Sequence, residues 1–108
     1  MTFQVMLTDD ASEDLALLYR YIAEHDAAQN ADYVLDQLAL CLASLTESPE
    51  RGAYPKELLA VGLREYHEIY FKPYRIIYRI LADVVYVMLI ADGRRNMQSL
   101  LQRRLLAG

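Results

Sequence analysis

Tryptophan is missing from this sequence, and cysteine occurs once, at Cys41. A lone cysteine closes no internal disulfide and has no CxxC partner. His25 and His67 are the only histidines that could join it, so neither a disulfide framework nor a metal site is expected. Long apolar runs are missing too. No stretch approaches the roughly 20 residues that cross a bilayer, and the opening Met-Thr-Phe-Gln-Val has no basic region ahead of an apolar block, as a secretory leader would. There is no glycine-rich phosphate loop, no GxSxG elbow and no histidine pair at metal spacing. These absences remove the common nucleotide-binding, serine-hydrolase and metalloenzyme classes. They leave a cytoplasmic protein without a cofactor as the expectation.

Positive charge is nearly lacking from the first half. Residues 1–50 hold one base, Arg20, against ten acids, a net −9; residues 51–108 hold ten bases against five acids, a net +5. The overall −4 conceals an electrically two-ended molecule, a pattern that marks either a partner surface or solvated faces on opposite elements. The 108 residues are one domain's worth, residues 1–108, enough for a single hydrophobic core.

What is present reads clearly along the chain. Phe3 to Thr8 alternates as a strand. The period then changes: Ala11, Leu15, Leu18 and Ile22 recur at helical spacing after Thr8 or Asp9 as cap, with Asp9, Asp10, Glu13 and Asp14 at the positive end of the dipole. This helix runs to about His25, and "HDAAQN" breaks it. A second helix is predicted from about Gln29 to Ser48, with Val34, Leu38, Cys41, Leu42 and Leu45 on one stripe and Pro49 beyond its end. Cys41 on that stripe reads as a small core residue. Two amphipathic helices with a short link pack as an antiparallel hairpin.

"SPERGAYPKELLAVG" is the one long irregular stretch. Three strands follow, Leu63 to Phe71, Tyr74 to Leu81 and Val84 to Ala91, joined by "KP" and "AD", links that impose antiparallel pairing. "VVYVMLIA" is apolar on both faces, as in a central strand covered on both sides. The hairpin covers one side, and a terminal helix from about Asn96 to Ala107, apolar at Met97, Leu100, Leu101 and Leu105, covers the other. The predicted fold is α+β: an N-terminal strand and a helical hairpin packed on a twisted antiparallel sheet of three or four strands, in the order β-α-α-β-β-β-α. Five of the nine tyrosines, Tyr66, Tyr70, Tyr74, Tyr78 and Tyr86, fall in the strands, where they serve either packing or an interface.

Four arginines stand out as candidate target-binding residues. "PYRIIYRI" places Arg75 and Arg79 on one face of a strand, and Arg94 and Arg95 follow Gly93 at the end of the next. A planar, permanently charged fork suits phosphate or carboxylate recognition. The alternative is pairing with Glu65, Glu68, Asp83 or Asp92. Arg75 and Arg79 are expected to face a groove rather than the centre of the core. The carboxylate pairs Asp9–Asp10 and Glu13–Asp14 read as helix-start acids, and His67 as a packed residue of the strand.

The segments "DASEDLALLYRYIAEHD", "SPERGAYPKELLAVGLREY", "YRIIYRI" and "VVYVMLIADGRRNMQSLLQRRL", in this order and spacing, resemble the RelE/ParE superfamily, the toxins of type II toxin-antitoxin modules. The resemblance implies a cognate antitoxin partner and one of two activities. RelE-like members are ribosome-dependent mRNA endonucleases that use a basic cluster; Arg75 and Arg95 would then be catalytic. Against that, Glu68 and His67 or Tyr66 stand where lysines are expected, and Leu101 is near the place of a late tyrosine. A carboxylate beside a developing phosphorane is repulsive, and a sequence pI near 5.0 is unlike an RNA-binding domain. ParE-like members inhibit DNA gyrase through protein contact, with no catalytic centre of their own. The ParE-like reading is favoured, with the RNase, and a protein that keeps only antitoxin binding, as alternatives.

Overall fold

Thr8 ends the first strand and starts the first helix. Its Oγ1 accepts a hydrogen bond from the Ala11 amide at 3.1 Å, closing one of the unpaired donors of the helix start. In the computed structural model, which describes residues 2–106, β1 (Gln4–Leu7) leads through this cap into α1 (Asp9–His25) and α2 (Ala28–Ser44). Ala11, Leu15, Leu18 and Ile22 turn toward the sheet, as their spacing predicts. The second helix stops at Ser44, earlier than the expected Ser48, because hydroxyls capture its last carbonyls. Ser44 Oγ donates to Cys41 O at 2.6 Å and Thr46 Oγ1 to Ala43 O at 2.8 Å, while Phe3 N donates to Thr46 O at 2.8 Å and ties the turn to the N-terminal strand.

The irregular stretch is more ordered than its composition suggests. It holds a 3₁₀ turn at Pro49–Arg51 and a short helix, α3 (Lys56–Leu59), before β2 (Tyr66–Phe71), β3 (Tyr74–Leu81) and β4 (Val84–Asp92). The terminal helix α4 covers Met97–Leu101 and continues as a wider π turn, Gln102–Leu106; Asn96 caps it by accepting from Ser99 N at 3.1 Å. Ala107, the last residue of the predicted helix, lies outside the described residues. No helix among the described residues is long and apolar enough to cross a membrane.

The sheet order is β1-β4-β3-β2. Strands β2, β3 and β4 form the expected antiparallel meander, whereas β1 joins the edge parallel to β4, Gln4 opposite Val84 through Leu7 opposite Val87. Parallel pairing follows from the connection: the hairpin carries the chain from the end of β1 into α3 and β2 before β4 runs in β1's direction.

The double-sided apolar pattern of β4 has a specific cause. Its register with β3 slips between Ile77 and Tyr78, so that Ile77 faces Leu89 and Tyr78 faces Val87, leaving Met88 as an extra residue. A bulge resets the alternation. Val85 and Val87 face the helical hairpin, yet Leu89 and Ala91 face the tail, with Ile90 returning to the hairpin side. Two apolar layers result. One contains Ala11, Leu38, Leu45, Ile76 and Tyr78; the other contains Leu58, Ile77, Leu89, Met97, Leu100 and Leu101.

Candidate functional site

The tail-side face of β3 carries Arg75, Ile77 and Arg79 in alternation, so the two arginines do share a face. Arg75 nevertheless does not open into a groove. It is 5% exposed, and its guanidinium is saturated by carboxylates. Nε donates to Glu68 Oε1 at 2.7 Å, and Nη1 and Nη2 form a two-pronged pair with Glu57 at 2.9 and 2.8 Å. Glu68 reaches it from β2, where Arg75 lies opposite Tyr70, and Glu57 from α3. The Tyr70 hydroxyl donates to the other Glu68 oxygen at 3.0 Å. One cation thus meets two carboxylates in the interior, a good structural clamp and a poor anion receptor.

Charge and burial respond accordingly. The hydrogen bonds from Arg75 hold the Glu57 carboxyl below its usual range, and acceptance of those bonds by Glu57 and then Glu68 holds Arg75 more firmly protonated, against the opposing effect of burial. Burial first, and the hydrogen bond to Glu68 second, push the Tyr70 phenol up. Gly93 is required beside this cluster, since a Cβ there would sit 2.7 Å from Arg75 Cδ and 3.0 Å from Pro73 O.

The other three arginines do not converge on Arg75. Arg79 faces Tyr66 near the opposite end of β3, four residues or roughly 13 Å away along the strand. Its guanidinium carbon lies 5.7 Å from the Tyr66 ring centroid and its Nη2 3.7 Å from Glu65, with the side chain 29% exposed. Arg94 is exposed, but Asp92 holds it: the carboxylate accepts from Arg94 Nε at 3.0 Å, from Nη2 at 2.6 Å and from the backbone amide at 2.9 Å. That ion pair draws the Asp92 carboxyl down and raises Arg94. Arg95 is exposed, and among the described residues no carboxylate lies within ion-pair distance of it.

Arg94 and Arg95 border a groove between α1 and the end of β4. Leu17, Leu18 and Ile22 line it from the helix, and Tyr74 and Ile90 from the sheet. Leu17 and Tyr21 are half or more exposed at its mouth. The arrangement suits recognition of a partner segment that carries an apolar side chain next to an acid. Leu101, near the place of a late catalytic tyrosine, is 1% exposed in the tail layer.

Four residues take part that local sequence patterns do not single out. Glu57 sat in the irregular stretch and gave no signal. Asp14 reads from the sequence only as a helix-start acid, although it binds Arg104 of the tail. Tyr78 was grouped with sheet tyrosines, but its hydroxyl donates to Pro49 O at 2.7 Å and accepts from Gly52 N at 3.2 Å, fastening the 3₁₀ turn to the sheet.

Comparison with known proteins agrees with this architecture. Residues 5–97 match the family model for the ParE toxin of the type II toxin-antitoxin system parDE. Toxin ParE3 of Caulobacter vibrioides is 27% identical over 101 residues, covering 94% of this chain and 97% of that protein. Among solved structures, the chromosomal ParDE system of P. aeruginosa superposes with a TM-score of 0.70 at 13% identity, over 84% of this chain and 96% of that one. An arginine mutant of free E. coli RelE gives 0.62 at 18% identity, over 97% and 100%. The RelBE2 toxin-antitoxin complex of Mycobacterium tuberculosis gives 0.58 at 20%, over 85% and 99%. With its helical hairpin, four-stranded sheet and terminal helix in the matching order, the chain belongs to the ParE toxin family of type II toxin-antitoxin systems.

Proposed function

We propose that this toxin inhibits DNA gyrase by protein-protein contact in the cytoplasm, without a catalytic centre, and that a cognate antitoxin neutralises it. The carrying observation is the state of Arg75. The position that a RelE-like nuclease would use for a free cation holds a guanidinium saturated by Glu57 and Glu68. Freeing it would expose two carboxylates to the transition state, so positive charge could not be gathered there without rebuilding the cluster.

Target contact falls to the arginines that solvent can reach, Arg94 and Arg95 at one end of the sheet and Arg79 at the other. Arg75 acts from within, by holding α3 against β2 and β3. The deciding experiment adds purified protein to a gyrase supercoiling assay and to a programmed ribosome extract. Linear DNA accumulating with gyrase supports the reading. Site-specific mRNA cuts would replace it with the endonuclease, and silence in both assays would leave a protein that only binds its antitoxin.

A further inference from the structure

Arg79 stands in a register row that crosses the whole sheet. Pairing sets Met6 of β1 opposite Tyr86 of β4, Tyr86 opposite Arg79 of β3, and Arg79 opposite Tyr66 of β2. Directly opposed residues share a face, so the four side chains line up on the tail side, about 4.8 Å apart from strand to strand. The next row sets Gln4, Val84 and Leu81 beside them. The terminal helix packs over Ile77 and Leu89 and leaves this end of the sheet open: Met6 is 44% and Leu81 46% exposed, and Val84 and Tyr86 are half-buried.

The arginine in this row is poorly satisfied. The Tyr66 ring holds its guanidinium by a cation–π contact. Its Nε is shielded from water yet finds no acceptor. Its one ion pair among the described residues, Nη2 to Glu65 at 3.7 Å, is longer than a hydrogen bond and ends on a half-exposed carboxylate. Arg75, on the same face of the same strand, makes three charge-assisted bonds. Within the two rows Arg79 carries the only charge. Close to them in the chain, Arg64 and Glu65 are exposed and of opposite sign, and Asp83 is exposed in the β3–β4 link.

We infer that this open end of the sheet is the surface that grips the toxin's target protein, taking a gyrase segment that sets an aspartate or glutamate on Arg79 and an apolar side chain over Met6, Tyr86 and Leu81. The inference rests on the gyrase reading above and gives its contact a place. Tyrosine, methionine and arginine are enriched at interface centres, and tyrosine and arginine carry much of the binding energy there. Here they adjoin on a face that no element covers. A carboxylate supplies the two-pronged acceptor that Arg79 lacks, and the apolar neighbours keep water from the new pair. A basic segment would leave the guanidinium without an acceptor and add like charge, so the occupant is acidic.

The test uses DNA gyrase itself, with the full chain carrying Arg79→Glu or Met6→Asp. The concentration for half-inhibition of supercoiling should rise about tenfold or more for Arg79→Glu and several-fold for Met6→Asp, which puts a charge where an apolar contact is expected. Arg20→Glu makes the same charge reversal at an exposed site on α1 and should leave it unchanged. Circular dichroism checks the fold of each variant, and Met6→Asp, at a position already half exposed, carries the test if Arg79→Glu does not fold. Folded variants that inhibit within about twofold of the parent overturn the inference. If such variants also fail to co-purify with the antitoxin, the surface belongs to the antitoxin instead. The inference is equally overturned if the parent binds gyrase-free DNA and Arg79→Glu does not, since the anion on Arg79 is then a phosphate. Failure of the parent itself to inhibit gyrase marks the different case in which the underlying reading falls, and this inference with it.

Discussion

Asp14 and Arg104, ninety residues apart, form a two-pronged ion pair that closes the backbone of the β4 bulge. Asp14 Oδ2 also accepts from Ile90 N at 3.0 Å, and Arg104 Nη2 donates to Met88 O at 3.0 Å. Strand β1 stops opposite Val87, so these two backbone groups lie on an edge that no strand covers. Each would otherwise be an unpaired donor or acceptor in a half-buried place. The pair therefore joins α1, the bulge and the tail at one point, and it seals a sheet edge.

Removing either partner strands the other. Asp14→Ala should destabilise the protein by about 2 kcal/mol, and Arg104→Ala by a similar amount or somewhat less, because part of Arg104 is already in water. A double-mutant cycle in urea should give a coupling of at least about 1 kcal/mol. Additive effects would show that the pair is two independent surface contacts.

Arg75→Ala leaves Glu57 and Glu68 facing each other without a cation, and should cost about 3–5 kcal/mol. Arg75→Lys should recover only part of this, since an ammonium cannot span both carboxylates with the three-donor fork now seen. Thermal unfolding of the two variants provides the measurement, and full recovery by lysine would contradict the clamp.

The same cluster sets an acid limit. Glu57 has a folded pKa below its unfolded value, so its contribution is complete above the ordinary carboxylate range, near 4.5, and is lost as pH falls through the folded value. Stability measured from pH 6 down to pH 3 should fall less steeply in Glu57→Gln than in the parent. Parallel curves would place the acid sensitivity elsewhere.

Tyr78 is fully buried, and its hydroxyl serves two backbone groups. Tyr78→Phe should cost about 1–3 kcal/mol through the unpaired Pro49 carbonyl and Gly52 amide. Gly52→Ala should cost at least as much, because its Cβ would lie 2.6 Å from Glu68 O, a backbone atom. Denaturant midpoints of the two single variants test both statements.

Ala82 lies at φ 55° in the two-residue link between β3 and β4, in the left-handed region that alanine adopts at a cost. Ala82→Gly should stabilise the chain by about 0.5–1 kcal/mol, and Ala82→Val should do the reverse. A lower melting temperature for the glycine variant would refute the turn conformation.

The elements themselves were legible from local patterns. The stripe Ala11-Leu15-Leu18-Ile22, the Thr8 cap and the two-residue links "KP" and "AD" each act over a few residues, so their consequences can be read from neighbours in the chain. The ends were harder. The last turn of α2 was lost to hydroxyls of Ser44 and Thr46 that bond backward, and the start of β2 moved to Tyr66 because Leu63 N bonds back to Leu58 O at 2.9 Å. The shared face of Arg75 and Arg79 followed from period two. Their separate fates did not, because those depend on Glu57 arriving from a short helix inside an irregular stretch.

By itself the amino-acid order determined which segments become helix or strand, the pairing of the meander and the division of charge between the two halves of the chain, all through interactions spanning a few residues or a tight turn. Only the tertiary structure decided that β1 joins β4 in parallel, that a bulge at Met88 turns one strand toward both layers, and that Arg75 is locked inside while Arg95 stays free. Those outcomes depend on side chains tens of residues apart competing for the same unpaired group. Such a competition is settled by distance in space, which no local pattern encodes.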